Sequence, residues 1–255
     1  IEKMKKATSK PWGINVPLMY PEIDRLMDII IEHDVKIVFT SAGSPKKYTA
    51  RLQQAGIKVA HVVASSLFAK KCEEAGVDAV VAEGFEAGGH NGREETTTMT
   101  LIPAVRKATS LPLIAAGGIG SGQAMMAAMA LGAEGVQVGT LFALAQESSA
   151  SEAFKQKCIG IGEGDTMLCL KKISPTRLVK NDMYERIHEA ENKGADAAAL
   201  KEIIGNAAAK RGIFEGDTDN GLIEIGQVAA MVDRVMTAEE IICSMINEYD
   251  KTRIR

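Results

Sequence analysis

Short apolar runs alternate with longer, helix-like segments along the first 140 residues of the chain. Each run is rich in Val and Ile and has the length of a strand that is buried on both faces, as in a parallel sheet. The pattern predicts six strands, at Gly13–Leu18, Lys36–Ser41, Lys58–Val63, Ala79–Glu83, Pro112–Ala116 and Gly135–Gly139. Since a helix-like segment separates each pair, we expect the strands to be parallel.

Five helices are predicted between these strands, each bounded by Gly or Pro. The first, Pro21–His33, places apolar residues at spacings of three and four, which is typical of an amphipathic helix. The others are Pro45–Gln54, Ser65–Glu74, Met99–Ala108 and Gly122–Ala130. Three helices end in similar phrases, Gln-Ala-Gly-Ile, Glu-Ala-Gly-Val and Ala-Leu-Gly-Ala, just before the next strand. This repetition of βα units predicts an α/β fold.

The repeated βα units favour a TIM (β/α)8 barrel, and a length of 255 residues suits a single barrel of this kind. Six strands do not close an eight-stranded barrel. The chain begins at Ile1 rather than at Met, and the first predicted strand follows what resembles the end of a helix. We therefore expect one or two βα units to precede the sequence given.

After Gly139 the pattern changes to polar, helical segments, such as the long run Asp182–Ala208, without a convincing strand. We expect residues 146–220 to form an inserted helical subdomain that covers the barrel mouth. The barrel itself is then made of residues 1–145 and 221–255. The segment Gly221–Tyr249 is predicted to be a final helix that returns to the barrel.

Charge and composition exclude few functions, but they restrict the kinds of partner that the protein is expected to bind. The formal net charge is −3 and no basic patch stands out, which argues against a nucleic-acid or membrane-surface partner. Apolar stretches are far shorter than the roughly 20 residues of a membrane span. The four cysteines form no C-x-x-C pair, so no metal site is predicted, and scattered thiols without a secretory signal suit the reducing cytoplasm.

Two glycine-rich turns follow the last two predicted strands. Ile114–Ile119 reads IAAGGI and Gln137–Thr140 reads QVGT. In barrels, the loops at this position commonly bind a phosphate through backbone N–H groups and a helix N-terminus. Glycine allows the backbone to approach the anion closely. The turns therefore indicate a phosphate site, and ordinary strand-to-helix turn chemistry is the alternative.

The segment Ala82–Gly92, AEGFEAGGHNG, has the strongest catalytic pattern. A strand ends at Glu83, and the end of a barrel strand is where catalytic groups are placed. His90 lies in the glycine-rich loop that follows, where we expect a flexible, polar environment suited to proton transfer near neutral pH. A purely structural role in the loop is the alternative. The remaining histidines are weaker candidates, at a helix end, within a strand and on a polar helix: His33, His61 and His188.

Two polar residues within predicted strands have two possible roles each. Asn15 is the one amide in the first strand, and a buried amide needs hydrogen-bond partners. It could bond the backbone or a flat heterocycle. Glu83 could accept hydrogen bonds from ring N–H groups or could form an ion pair with a lysine.

Three long segments, AEGFEAGGHNG, TTTMTLIPAVRKATSLPLIAAGGIGSG and LGAEGVQVGTLFALAQES, closely resemble the family of nitronate monooxygenases (2-nitropropane dioxygenases) and FMN-dependent enoyl-acyl-carrier-protein (ACP) reductases. The resemblance runs from about Lys10 to Met231. The run Thr97–Leu101 and the turn Ser41–Pro45 are more similar to the reductases, in particular to enoyl-ACP reductase II of the Bacteroidetes type. The resemblance implies a TIM barrel that binds FMN non-covalently at its top.

Site residues are implied by the same motifs. His90 is implied to be the catalytic residue beside the flavin. The family's first strand, with its glycine-rich flavin loop, is absent from the sequence given. The implied cofactor-binding residues are Asn15 and Glu83 at the flavin, Gly88 and Gly89 beside His90, Gly117, Gly118, Gln137, Val138, Gly139 and Thr140 at the phosphate region, and Gln227 after Gly226.

The resemblance implies that NADH or NADPH supplies a hydride, which passes through FMN to C3 of a trans-2-enoyl-ACP thioester, while His90 orients or protonates near the thioester enolate. In the alternative, a nitronate monooxygenase, His90 acts on a small nitroalkane anion, and reduced flavin meets O2. A third hypothesis is a non-enzymatic barrel scaffold without its cofactor. The family and general base rates also predict a homodimer.

Overall fold

The computed structural model describes residues 1–254, and nine strands run through it in two sheets. In chain order the strands are β1 (Gly13–Pro17), β2 (Ile37–Ser41), β3 (Lys58–Val63), β4 (Ala79–Glu83), β5 (Gly89–His90), β6 (Leu113–Ala116), β7 (Gly135–Gln137), β8 (Thr166–Cys169) and β9 (Thr176–Val179). The first sheet has the parallel order β1-β2-β3-β4-β6-β7 and curls into a half-barrel. All six predicted strands are confirmed, with ends that agree to one or two residues.

Twelve α-helices surround and connect these strands in the described residues. They are α1 (Glu2–Ala7), α2 (Ile23–Glu32), α3 (Thr49–Gln54), α4 (Ser66–Glu74), α5 (Thr98–Ala108), α6 (Gly122–Ala130), α7 (Thr140–Ala143), α8 (Glu152–Ile159), α9 (Asp182–Asn192), α10 (Ala197–Ile204), α11 (Ala208–Ile213) and α12 (Ala238–Arg253). Short 3-10 turns occupy Pro45–Lys47 and Gln227–Met231. Within residues 1–254, no helix combines the length and apolar character that crossing a membrane requires.

The half-barrel separates an outer core from an inner face because side chains alternate along each strand. Val38, Val80 and Leu113 are fully buried in the large core that the helices also share, together with Met27 of α2. Alternate residues form a smaller cluster on the inner face, around Ala60, Val81 and Ala116. This cluster packs inside the half-barrel, below the level at which the strands end.

The second sheet corrects the expectation of a segment without strands at residues 146–220. β8 and β9 lie in this segment and pair antiparallel, and β5 pairs with β9 to give the order β5-β9-β8. A second core cluster, which includes Leu178, Ile187 and Leu200, packs beside them. The wrong expectation has a physical cause: β9 contains a buried charged residue, Arg177, which interrupts the apolar pattern that identified the other strands. The boundaries of a separate subdomain stay a prediction.

Two predicted helices have different limits in the structure. The run Asp182–Ala208 is divided because Gly194 and Gly205 adopt positive φ, which ends a helix. The helix predicted over Gly221–Tyr249 is wrong in its first half, where the chain is irregular up to the 3-10 turn Gln227–Met231. The helical part, α12, begins at a capping box formed by Thr237 and Glu240.

Candidate active site

A cavity of about 870 Å³ opens where the strands of the half-barrel end. Parallel strands bring their C-terminal ends to one edge, which is the catalytic face of barrel enzymes. The loop Ser41–Pro45 and the side chains of Val62 and Phe68 form part of its wall. Among the residues implied by the family motifs, the structure brings five together around this cavity: Asn15, Glu83, Gly88, His90 and Gln137.

The polar floor of the cavity is formed by Asn15, Glu83 and Gln137. Glu83 and Gln137 both lie in register with Ala116, one strand to either side of it, so their Cα atoms are separated by roughly 10 Å. Burial raises the pKa of Glu83 to about 7. The floor therefore offers two amides and a carboxyl group that is half-protonated near neutral pH, a donor and acceptor set that fits the rim of a flat heterocycle.

Asn15 differs from its expected environment. The sequence suggested a buried amide, but the structure exposes Asn15 at the interior of the half-barrel, where it lines the cavity. Its neighbour in register is Phe39, which packs against the inner cluster. The exposed amide does not need the protein backbone as a partner, so it is free to bond a ligand.

His90 belongs to β5 and is not in a free loop. Gly89 and His90 pair with Arg177 and Thr176 of β9, and the Asn91 N–H donates to the Pro175 carbonyl over 2.8 Å. The side chain of His90 is exposed and lines the cavity. The second sheet thus fixes the backbone of His90 while its imidazole faces the space where a ligand would bind.

Gly88 and Gly117 lie near the His90 loop, and close packing of the backbone requires glycine at both positions. A Cβ at Gly88 would lie 2.3 Å from the Ile225 carbonyl carbon. Gly117 has a φ of +85°, and a Cβ there would lie 2.7 Å from the Gly84 oxygen. These positions form a narrow cradle of backbone that a side chain would fill. Gly89 has a φ of +71°, and a Cβ there would lie 2.9 Å from Glu224 Oε2.

Of the predicted phosphate region, Gln137 lines the large cavity instead, and the remaining residues lie beside this cradle, outside the cavity lining. Gly118 packs against the Glu86 side chain, and the Thr140 hydroxyl accepts a hydrogen bond from the Gly226 N–H over 3.2 Å. Val138 and Gly139 connect β7 to Thr140, and the space beside the Gly139 Cα is open. The backbone N–H groups of the turns Gly117–Gly118 and Val138–Thr140 fit an anionic group. At Gly139 no side chain shields them.

The helix that follows the turn Gly117–Gly118 is α6, and its N-terminus does not contribute to the predicted phosphate site. Ser121 caps α6 by accepting from the Ala124 N–H, and the Gly122 N–H donates to the Glu248 carboxylate over 2.8 Å. Side chains of the protein therefore already accept hydrogen bonds from the N–H groups at this helix terminus. Gln227 is also separate, because its side chain lines a second cavity of about 260 Å³ together with Glu163 and Met231.

Sequence reasoning missed two residues that hold the His90 loop. The Glu86 carboxylate accepts from the backbone N–H and the hydroxyl of Thr98, which starts α5. Arg177 is 1% exposed and donates to the Phe85 carbonyl from Nη2 over 2.8 Å, with its guanidinium 4.4 Å from the Phe85 ring centre. In the sequence, a carboxylate followed by glycines indicates such a role only weakly. A lone arginine within a strand does not indicate it at all.

A third missed residue, Glu224, lies beside the catalytic candidate. A Cβ at Gly89 would be 2.9 Å from Glu224 Oε2. Burial raises the pKa of Glu224, and the positive charge of His90 opposes this shift. The sequence does contain a signal here, since Glu224 is the one charged residue in the apolar run LIEIG.

The family model described as nitronate monooxygenase matches residues 20–248. This protein belongs to the nitronate monooxygenase family. Its structure is similar to that of FabK from Thermotoga maritima, with a TM-score of 0.93 and 37% sequence identity over 99% of this chain and 80% of that chain. The predicted TIM-barrel type of fold is thereby confirmed.

Two relatives show the chemical range of the family. The (3aS,4S,5R,7aS)-5-hydroxy-7a-methyl-1-oxo-octahydro-1H-indene-4-carboxyl-CoA dehydrogenase of Rhodococcus jostii is 29% identical, over 98% of this chain and 81% of that protein. A probable nitronate monooxygenase of Staphylococcus saprophyticus is 31% identical, over 88% of this chain and 66% of that protein. The family consists of flavin-dependent oxidoreductases, so this protein is an oxidoreductase and not a bare scaffold.

Proposed function

We propose that this protein reduces trans-2-enoyl thioesters of an acyl carrier such as ACP, with FMN as its cofactor and NADH or NADPH as its reductant. The observation that carries this proposal is the similarity to FabK, an enoyl-ACP reductase II, over nearly the whole chain. The cavity of about 870 Å³ lies within the usual range for ligand sites, and in either reaction it has to hold the flavin ring as well as the substrate.

FMN fits the residues present. Asn15, Glu83 and Gln137 would bond the rim of its ring system, and the turns at Gly117–Gly118 and Val138–Thr140 would hold its phosphate. The open space at Gly139 supports the second assignment. When bound, FMN supplies hydride transfer, and the protein supplies position and electrostatics.

His90 is the residue that we assign to the substrate. Its backbone is fixed by β9 and its imidazole faces the cavity, so it can deliver a proton to C2 of the enoyl thioester as negative charge develops there. The wall residues Val62, Val63 and Phe68 offer apolar surface to the acyl chain and exclude water from it. Both actions use only side chains that line the same cavity.

Nitronate oxidation is the second candidate, because the family model carries that description and a Staphylococcus relative has that name. In this reaction His90 would orient the nitronate, or form it by taking a proton from the α-carbon of the parent nitroalkane, and O2 would be the oxidant. The homodimer and the cytoplasmic location that the sequence suggested stay predictions.

A substrate-exchange assay tests the two candidates on the same flavin-loaded protein. We expect oxidation of NADH or NADPH when a crotonyl thioester is added, and little O2 uptake with propionate 3-nitronate. Thioester-dependent oxidation of neither nucleotide would reject the proposal. O2 uptake with the nitronate, independent of nicotinamide, would establish the second candidate instead.

We predict that His90→Ala retains FMN but loses turnover by about 10²–10⁴-fold, the usual contribution of a positioned acid–base group. Flavin absorbance after gel filtration measures retention, and nucleotide oxidation measures turnover. His33→Ala is the matched control, since His33 lies at the end of α2 and bonds Glu2 instead of lining the cavity. Unchanged turnover in His90→Ala would show that the assignment of His90 is wrong.

A further inference from the structure

An exposed surface that is both apolar and basic lies beside the cavity mouth, on the first two turns of α4. Phe68 and Lys71 line the cavity, and each has a neighbour of the same kind just outside the lining, Leu67 and Lys70. Leu67 is 59% exposed and Phe68 is 44% exposed. Lys46, in the 3-10 turn after β2, is exposed and lines the cavity as well. We call these five residues the rim surface.

The positive charges of the rim surface are not neutralised by the protein itself. Across residues 1–254, no ion pair involves Lys46, Lys70 or Lys71. The exposed Glu74 lies four residues after Lys70 on α4, yet the two side chains form no ion pair there. Glu73 accepts two hydrogen bonds from the loop that follows α5. The rim surface therefore has three available positive charges, in a chain whose formal net charge is −3.

The positions of Leu67 and Lys70 indicate how large a partner the rim surface fits. A small thioester inside the cavity contacts the cavity lining, which includes Phe68 and Lys71 but neither Leu67 nor Lys70. Water is excluded from two adjacent exposed apolar side chains only when another surface covers both of them. The rim surface thus extends beyond the reach of a small ligand, and it fits the face of a protein.

We propose that the rim surface docks the protein that carries the acyl thioester, through a face of that carrier on which acidic side chains surround apolar ones. The lysines attract the acidic side chains and speed the encounter, while burial of Leu67 and Phe68 stabilises the complex. Docking there places the carrier beside the cavity mouth, so that its acyl arm can enter. This inference rests on the proposed function in that the acyl group arrives on a carrier protein.

The first test compares a protein carrier with a small one. Because Lys70 lies outside the cavity lining, we expect Lys70→Glu to raise KM for crotonyl-ACP by about 3–10-fold, with KM for crotonyl-CoA and both kcat values unchanged. This rise should shrink as salt is added. Leu67→Ser removes apolar area instead, so we expect a similar rise for crotonyl-ACP that salt does not reduce. Lys201→Glu, at an exposed position on α10, is the matched control and should change neither KM.

The second test measures docking without turnover. Flavin-loaded protein is titrated with crotonyl-ACP in a calorimeter, with no nicotinamide nucleotide present. We expect Kd to rise by about 3–10-fold in Lys70→Glu and in Leu67→Ser, and to stay the same in Lys201→Glu. If Kd depends on Lys70 in this way but the protein reduces no thioester, the docking surface is supported and the proposed reaction is rejected.

Values of KM and Kd for crotonyl-ACP that are the same in Lys70→Glu, Leu67→Ser and the parent overturn the docking surface, even where thioesters are reduced. An absence of crotonyl-ACP binding by the parent overturns it too. An equal rise in KM for crotonyl-CoA would mean that Lys70 contacts the small carrier, which also rejects protein docking. Light scattering on the same variants covers the remaining occupant, a second copy of this chain. A changed mass with unchanged carrier binding would assign the rim surface to self-association and overturn the proposal.

Discussion

Burial shifts the pKa values of Glu83 and His61 in opposite directions. Burial raises the pKa of the Glu83 carboxyl to about 7, and it lowers the pKa of the His61 imidazole to about 4. In each case the low-dielectric surroundings disfavour the charged form. His61 is neutral at pH 7, and its Nδ1 lies 2.7 Å from the Thr40 hydroxyl. It is thus a buried core residue, although the cavity reaches it.

Glu83 should make the stability of the flavin-free protein depend on pH. Its pKa of about 7 in the folded state is above the ordinary value of 4.5, so the contribution of Glu83 to stability is fully present below pH 4.5 and is lost as pH rises through 7. We predict that Glu83→Gln removes the loss. The free energy of unfolding at pH 8 should rise by up to about 3 kcal/mol relative to the parent.

Urea denaturation at pH 4 and pH 8 measures this effect. The parent and Glu83→Gln should differ in their pH dependence, with the variant flatter across the interval. Glu74→Gln, which removes an exposed carboxylate at the same cavity, should follow the parent. Parallel curves for Glu83→Gln and the parent would contradict the assigned protonation of Glu83.

At the scale of elements, the short strand β5 depends on β9 for its position. β5 has two residues, and its pairing with β9 is supported by Arg177, whose guanidinium reaches across to the Phe85 carbonyl. A two-residue strand is not stable alone. Arg177 therefore links the loop that carries His90 to the second sheet.

We predict that Arg177→Lys loosens this link. Lysine keeps the charge but lacks the planar fork of donors, so the Phe85 carbonyl loses at least one of its two hydrogen bonds. The free energy of unfolding should fall by about 1–3 kcal/mol. In hydrogen exchange, the Asn91 amide, which donates to Pro175, should lose protection. Arg186→Lys on the exposed face of α9 is the control, and equal effects in both variants would contradict a special role for Arg177.

The sequence predicts the parallel sheet well because each of its strands is a local apolar run. β8 and β9 have no such local signature, since β9 gains its place from pairing with β5, which is distant in sequence. For the same reason the motif identified His90 as the candidate residue but not the strand that fixes it. Glu224 is brought to His90 by the fold alone, 134 residues later along the chain.

At the scale of the whole molecule, the cavity mouth differs in charge from the rest of the protein. The net charge is −3, yet two exposed lysines, Lys46 and Lys71, line the cavity together with the exposed Glu74, while Glu83 lies at its floor. Neither lysine forms an ion pair in the described part of the chain. Lys71 lies 5.2 Å from the centre of the Phe68 ring. The mouth therefore combines free positive charge with apolar surface.

This combination suits a substrate with an apolar acyl chain on a phosphate-bearing carrier. We predict that Lys71→Glu raises KM for crotonyl-CoA by about 3–10-fold without changing kcat, because charges at the rim of a site act mainly on association. The effect should shrink as salt is added. Lys70→Glu, the preceding residue of α4 and outside the cavity lining, is the matched control. Crotonyl-N-acetylcysteamine, which has no phosphate, should have the same KM in all three proteins. A rise in KM for both thioesters would mean that Lys71 contacts the acyl part instead, and no rise for either would exclude the mouth lysine from substrate binding.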